Sequence, residues 1–561
     1  MRKWAALAWL IAAGLIQQRS PAVRTRGGLV RGSLSADGTY HQYLGIPYAT
    51  VDHTNRFQAP LPPLSWDGIF EATNINTWCP QKVIGSLTIG DADCLRLNVY
   101  TPANAKPDQL LPVMAYIHGG CFLHGTGAPY LYGPDFLVKQ GIVYVGISYR
   151  LSVEGFLCLG IKEAPGNAGL KDQVAALKWI QENIRAFGGD PNKVTLFGES
   201  AGATSVAFLL LSPAAKGLIH KGILQSGSPI VPWGLQHDPI KTASTLVKEF
   251  GYDTKDPHEI YNILSNKTVS ELINAIRYSE HKNLITAETL FVPCIEKDIP
   301  GVEPIITKYP MDIIKSNNYT KVPMIFGVND NEGIYFVSAD YGTRVKKVDP
   351  TIIYQPLQSD LEFPTELDKN ETAKKIIRHY FSSEKDDYVM DMVDYYSDVH
   401  FKFPSAIFSE QYEKTSDQPI YYYVFKYNGY INMAKVISNF AGKPGASHAD
   451  EIFYLFKPHS FPLPHRYLEN DMIKRMVTMW TNFAKYSDPT PARSPLLPVR
   501  WPASGGSEPT ALIIDAQLST GPIWDRRSLA LWNDTYTKYR RKVYGFHKHV
   551  NSNIHNTVSS K

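Results

Sequence analysis

The stretch of sequence that decides the fold reads Gly198-Glu199-Ser200-Ala201-Gly202. An apolar run at Val194–Phe197 precedes it, and a helix-like run at Ala203–Leu211 follows it. A G-x-S-x-G stretch between a strand and a helix is typical of a tight turn that only small residues can flank and that exposes the serine hydroxyl. The positive end of the following helix lies where an oxyanion would form. The pattern predicts that Ser200 is a nucleophile.

Short apolar runs alternate with helix-like segments on both sides of this turn. The runs that we predict to be strands are Val113–Ile117, Ile142–Ile147, Val194–Phe197, Val322–Phe326 and Ile420–Phe425. Runs bounded by Gly and Pro suit buried strands of a mainly parallel sheet. Asp172–Ala186 has helical spacing and gives a strand–helix–strand crossover. The expected class is α/β, with a mostly parallel mixed sheet flanked by helices and a helical insertion at about 335–415.

A second glycine-rich stretch, His118-Gly119-Gly120-Cys121-Phe122, directly follows one predicted strand. Backbone N–H groups of such a loop, together with the N–H of Ala201, can hold a tetrahedral oxyanion. Taken alone, the loop could equally be an ordinary turn at the end of a strand. The combination with the serine turn favours an oxyanion hole.

A nucleophilic serine needs a base, and the base needs an acid that orients it. In this fold class the chain order is serine, acid, histidine. The loop after the predicted strand Val322–Phe326 offers Asp330 or Glu332 as the acid, and spacing does not decide between them. The loop 445–451 offers His448 as the base.

The cysteines and the N-terminus indicate an exported protein. Five cysteines leave at least one free thiol, and Cys79 with Cys94 is the nearest suitable pair. A basic start and a short apolar run predict a signal peptide at 1–17, since a membrane anchor would need about 20 apolar residues. Four sequons then become candidates for glycosylation, at Asn266, Asn318, Asn370 and Asn533. The expected location is extracellular.

Composition excludes several classes of protein. Apolar residues make up 44% and charged residues 20%, which is the globular range. The net charge of +4 is too small to suggest a nucleic-acid partner. No CxxC or Cys/His cluster occurs, so no metal or other cofactor is predicted.

Several further motifs together resemble type-B carboxylesterases, the group that includes cholinesterases, and insect carboxylesterases in particular. These motifs are Tyr43–Ala49, Asp93–Tyr100, Gly166–Gln173, Phe187–Pro191, Gln225–Ser228 and His448–Glu451. The resemblance covers nearly the whole chain after the leader. It implies one α/β-hydrolase domain over 18–561, and it supports a disulfide between Cys79 and Cys94.

The resemblance also implies a role for each matching position. The resemblance implies that Ser200, Glu332 and His448 form the catalytic triad. It implies that Gly120, Cys121 and Ala201 donate their backbone N–H groups to the oxyanion, and that Glu199 and Ser226 support the triad. Glu332 is thereby preferred over Asp330.

The sequence departs from its relatives at informative places. Cys121 replaces a common glycine; it would either narrow the site or bring a thiol that modifies reactivity. The loop 80–93 has no aromatic residue, so the main contact of a quaternary-ammonium site is missing. Cholinesterases have bulky aromatic residues at the positions that match 287–290, and the smaller residues here indicate a roomier acyl pocket. Juvenile hormone esterases tend to carry Gln before the serine, so Glu199 argues against that role.

The predicted protein is a secreted esterase that cleaves small to medium esters (xenobiotic, dietary or pheromone esters) through an acyl-enzyme, without a cofactor. The expected partner is a small-molecule ester. A non-catalytic or sequestering relative and a lipase acting at an interface are the alternatives.

Overall fold

A thirteen-stranded mixed sheet runs through the computed structural model, which describes residues 18–83, 86–106, 108–276, 291–347, 349, 351, 360–382, 388–461, 469–505 and 509–541. Its strands are β1 Arg19–Arg24, β2 Leu29–Leu34, β3 Tyr40–Pro47, β4 Ile69–Glu71, β7 Arg96–Pro102, β8 Leu111–Ile117, β9 Val143–Ile147, β12 Gly189–Glu199, β13 Lys221–Gln225, β14 Met324–Asn329, β15 Ile420–Phe425, β16 Thr510–Ile514 and β17 Ser519–Pro522. Two small hairpins pair β5 Gln81–Lys82 with β6 Thr88–Ile89, and β10 Cys158–Ile161 with β11 Ala164–Pro165.

The centre of the sheet is parallel and its margins are antiparallel. The strand order is β1-β2-β3-β7-β9-β8-β12-β13-β14-β15-β16-β17, with β4 beside β2. The strands from β9 to β16 in this order run parallel to one another. The apolar runs that the sequence shows are this parallel centre, since a strand covered on both faces is apolar throughout. The predicted α/β fold class is confirmed.

Helices cover both faces of the sheet. They are α1 Pro129–Tyr132, α2 Asp135–Val138, α3 Ser152–Phe156, α4 Ala168–Asn183, α5 Ala201–Leu211, α6 Pro239–Lys248, α7 Pro257–Ser265, α8 Val269–Ala275, α9 Pro310–Lys315, α10 Gly333–Tyr341, α11 Glu366–Tyr380, α12 Val389–Ser397, α13 Phe403–Thr415, α14 Met433–Ile437, α15 Asn470–Tyr486 and α16 Arg526–Tyr539. The predicted helical insertion at about 335–415 corresponds to α10 to α13.

Several predicted boundaries differ from the structure, and two of the differences are described here. The strand expected at Val322–Phe326 is β14, Met324–Asn329, because Pro323 has no N–H for the ladder and the Val322 N–H donates to the Tyr412 hydroxyl at 2.8 Å. The helix expected from Asp172 begins at Ala168 and ends at Asn183, where a tighter 3₁₀ turn takes over.

Two disulfides cross-link the described residues. Cys79 is bonded to Cys94 as predicted, and Cys158 is bonded to Cys294, a pairing that the sequence did not reveal. Beside the second bridge, the buried Lys171 ammonium lies 2.6 Å from the buried Glu296 carboxylate. Cys121 is the one free cysteine of the described residues.

Another buried ion pair fixes the end of β9 to helix α4. The Arg150 guanidinium donates two hydrogen bonds to the Asp172 carboxylate, at 2.8 and 2.6 Å, and both side chains are almost wholly buried. Removal of one partner from such a pair costs about 3–5 kcal/mol, because the other charge is left buried and unpaired.

The predicted signal peptide at 1–17 and the predicted acyl-pocket segment at 287–290 lie outside the described residues. Within the part of the chain that the structure describes, no helix combines the length and apolarity needed to cross a bilayer.

Candidate active site

Ser200 occupies a strained turn between β12 and α5, at the carboxyl end of the parallel sheet. Its backbone has φ 58° and ψ −124°, which costs an L-residue conformational energy. Neither of the flanking glycines could carry a side chain, because neighbouring backbone atoms lie too close. A Cβ at Gly198 would lie 2.5 Å from the Gly202 carbonyl carbon, and one at Gly202 would lie 2.0 Å from the Ile117 oxygen. The turn predicted from the sequence is therefore present.

The structure brings Ser200, His448 and Glu332 together, although up to 248 residues separate them. His448 Nε2 lies 2.9 Å from Ser200 Oγ. His448 Nδ1 lies 2.7 Å from Glu332 Oε2. All three side chains are nearly buried. This is the geometry in which a base can take the serine proton while a carboxylate fixes the imidazole tautomer.

Glu332 is held by two further donors. The Ser226 hydroxyl donates to Glu332 Oε1, and the Asn329 N–H donates to the same oxygen at 2.7 Å. The predicted supporting position of Ser226 thus contacts the acid. Asp330, the other candidate acid, instead accepts the N–H of Ala446 at 2.7 Å.

Glu199 approaches the histidine from the other side. Its Oε1 lies 3.1 Å from His448 Nε2. Burial, reinforced by the nearby Glu451 and Glu332 carboxylates, raises the pKa of Glu199 above its usual range. Burial by itself lowers the pKa of His448, but Glu199 and Glu332 outweigh it and raise that pKa. The protonation of this pair is therefore coupled.

The glycine-rich loop after β8 lies against the serine turn. Gly120 and Cys121 have φ of 102° and 54°, and a Cβ at Gly119 would lie 3.0 Å from the Ser200 Cβ. Among the described residues, the N–H groups of Gly120, Cys121 and Ala201 donate to no protein acceptor. Three unpaired donors beside a serine hydroxyl suit a developing oxyanion.

Cys121 is half-buried as a residue, and its thiol lies on the buried side. Burial of its thiol, together with the neighbouring Glu199, raises the pKa of Cys121 to about 12. The thiol is consequently protonated at neutral pH, and a protonated thiol is a poor nucleophile. Of the two interpretations of Cys121, this favours steric narrowing of the site.

Sequence reasoning missed a set of aromatic rings around His448. The ring centroids of Phe401, Phe336 and Tyr335 lie 4.5, 5.6 and 6.1 Å from that of the imidazole. Tyr335 and Phe336 follow Glu332 so closely that the sequence could have indicated them. Phe401 lies on a distant segment, and nothing local in the sequence marks it.

The four sequon asparagines are all exposed. Asn370 and Asn533 lie within α11 and α16, and Asn266 follows the last residue of α7. Asn318 follows α9 in a loop. Their surface positions leave room for a glycan at each.

Comparison with known proteins identifies the family. The sequence profile of the carboxylesterase family matches residues 19–532. Juvenile hormone esterase of Heliothis virescens is 32% identical over 531 residues, covering 90% of this chain and 91% of that protein. Bile salt-activated lipase of Mus musculus is 33% identical over 503 residues, covering 86% and 81%.

A solved structure agrees with these sequence matches. The crystal structure of juvenile hormone esterase from Manduca sexta, with OTFP covalently attached, aligns with a TM-score of 0.79 at 28% identity. The alignment covers 92% of this chain and 99% of that one. With the profile match over most of the chain, the conclusion is that this protein belongs to the carboxylesterase family and hydrolyses carboxylic esters.

Proposed function

We propose that the protein is a secreted esterase that cleaves its substrates through a Ser200 acyl-enzyme, with His448 as base and Glu332 as acid. The observation that carries the proposal is the continuous hydrogen-bonded path from Ser200 Oγ through His448 to Glu332, with distances of 2.9 and 2.7 Å. We further propose one α/β-hydrolase unit over 18–561, released from a signal peptide at 1–17.

The mechanism follows from the contacts. His448 Nε2 takes the Ser200 proton as Oγ bonds to the ester carbonyl carbon, and the N–H groups of the glycine-rich loop hold the oxyanion. The C–O bond to the alcohol then breaks, and the alcohol leaves with the proton from His448. Water repeats the sequence on the acyl-enzyme and releases the acid.

The proposed substrates are small to medium esters, such as xenobiotic, dietary or pheromone esters. The ring set around His448 provides an apolar wall for an acyl or alcohol group. Glu199 is the residue that argues against a juvenile hormone substrate, although a juvenile hormone esterase is among the relatives. We also propose that the protein comes from an insect and that it serves in detoxification.

The decisive experiment compares wild type with Ser200→Ala on p-nitrophenyl butyrate. We expect the variant to lose turnover by about a million-fold while keeping its circular dichroism and melting temperature. A fluorophosphonate probe should label wild type and not the variant. Turnover or labelling that survives in Ser200→Ala, or no turnover by wild type, would contradict the proposal and favour a sequestering protein.

A lipase acting at an interface is the second candidate, and one observation favours it. Helix α14 packs beside α10, which carries Tyr335, and beside the 3₁₀ turn 450–454 that follows His448. Near this rim Tyr430 and Ile437 expose 76% and 70% of their surfaces. Exposed apolar groups beside a site can contact a lipid surface. Faster hydrolysis of emulsified than of dissolved esters, lost in Ile437→Asp, would support the lipase.

A further inference from the structure

A π-helical turn connects α12 and α13. Residues Asp398–Lys402 adopt it, and helical backbone continues on both sides. Such turns are rare and are frequent at functional sites, because the widened turn re-aims the side chains that it carries. The turn lies next to the candidate site, since the Gly333 N–H donates to Ser397 Oγ at 2.9 Å and Gly333 directly follows Glu332.

The side chain that this turn presents to the site is Phe401. Its ring centroid lies 4.5 Å from that of His448, with the planes 38° apart. Trp233 and Phe336 hold the ring from other sides, at centroid distances of 5.8 and 5.0 Å. Phe401 is fully buried, so water does not weaken its contact with the imidazole.

An aromatic face attracts a cation within about 6 Å of its centroid. During acyl transfer, His448 becomes a cation when its Nε2 takes the Ser200 proton. A contact that favours imidazolium therefore strengthens as the transition state forms, and an interaction of this kind accelerates the chemical step.

Several ionisable groups also lie near His448, and their influence on its pKa must be distinguished from that of the Phe401 ring. They are Glu199 at the end of β12, Glu332 before α10, Tyr335 on α10 and Glu451 on the turn after His448. Cys121, on the glycine-rich loop, lies near Glu199 and Tyr335. His400, on the π-helical turn itself, stacks on Phe336, and burial lowers its pKa to about 3, so it is neutral at working pH.

We propose that Phe401 is a positioning residue for His448: the π-helical turn holds its ring against the imidazole, orients the base and stabilises the imidazolium that forms during acyl transfer. The proposal rests on the proposed function. It assigns Phe401 no contact with the proton, which passes from Ser200 Oγ to His448 Nε2 and then to the leaving alcohol.

The test measures kcat and KM across pH for wild type, Phe401→Leu and Phe401→Trp. We expect Phe401→Leu to lower kcat about tenfold with little change in KM, and to move the acid limb of kcat/KM to lower pH. The limb moves in that direction because an imidazolium that loses a stabilising ring releases its proton more readily. Phe401→Trp retains an aromatic face and should restore both properties.

Phe408→Leu is the matched control. Phe408 is buried on α13, and its ring packs against Phe326 rather than His448. This variant should lose as much stability as Phe401→Leu, but the acid limb of its kcat/KM profile should stay at the wild-type pH. If Phe401→Leu loses stability and kcat but its limb stays with that of Phe408→Leu, the ring only packs and the proposal is overturned.

Fluorinated phenylalanines at position 401 give a second test that does not depend on folding of the leucine variant. Successive fluorines weaken the negative face of the ring at nearly constant volume. A stepwise fall in kcat supports the proposal, and a flat series overturns it. Failure of the triad itself would be seen separately, as activity that persists in His448→Ala.

Discussion

At the scale of single residues, we expect the pairing of Glu199 with His448 to set the pH response of the activity. The Glu199 carboxylate favours the protonated imidazole. In Glu199→Gln this charge is gone, so the pKa of His448 falls, and the base is neutral at lower pH. We expect the acid limb of kcat/KM to move about one unit toward lower pH, measured by initial rates from pH 4 to 9. Glu303→Gln, an exposed change of the same kind, should leave the profile in place; a limb that stays fixed or rises in Glu199→Gln would refute the assignment.

At the same scale, we expect Cys121 to narrow the space beside the glycine-rich loop. Its Cβ lies in the loop that carries two of the three N–H donors without an acceptor among the described residues. We expect Cys121→Gly to raise kcat/KM about tenfold for p-nitrophenyl octanoate, with a smaller gain for the acetate. Since the thiol pKa is about 12, maleimide should inactivate wild type only slowly at pH 7. Rapid inactivation, or equal gains for both esters, would instead indicate a chemical role of the thiol.

At the scale of elements, the second disulfide holds the segment after residue 290 to the hairpin of β10 and β11. The Cys158–Cys294 bridge spans 136 residues, and the Cys79–Cys94 bridge spans 15. In the chain-entropy model these bridges stabilise by about 5 and about 3 kcal/mol. Urea unfolding should therefore show a larger loss for Cys158→Ser with Cys294→Ser than for Cys79→Ser with Cys94→Ser. The reverse order would mean that the long segment retains contacts when unfolded.

At the scale of the whole molecule, the exposed sequons and the predicted signal peptide together predict a secreted, N-glycosylated protein. Expression in insect cells should yield protein in the medium whose N-terminus lies near residue 18 and whose mass falls on treatment with a glycosidase that removes N-linked glycans. Changing Asn266, Asn318, Asn370 and Asn533 to Gln, one at a time, should remove one glycan for each occupied site. Protein that stays in the cells with its first 17 residues intact would contradict the secretion proposal.

The sequence by itself determined the parts of this protein that depend on local chemistry. Gly198 and Gly202 are needed because a Cβ at either would collide with neighbouring backbone, so the serine turn is visible in five residues. The parallel strands are visible because burial on both faces demands apolar runs. Spacing alone left Asp330 and Glu332 both open as the acid, and only the resemblance to relatives preferred Glu332.

The tertiary structure decided what depends on segments far apart in the chain. It placed Glu332, rather than Asp330, against His448. It also brought Phe401 to the imidazole on a π-helical turn that no local sequence pattern predicts. It also paired Cys158 with Cys294 across 136 residues. Each of these contacts joins segments far apart in the sequence, so it depends on the packing of the whole chain rather than on any short stretch of sequence.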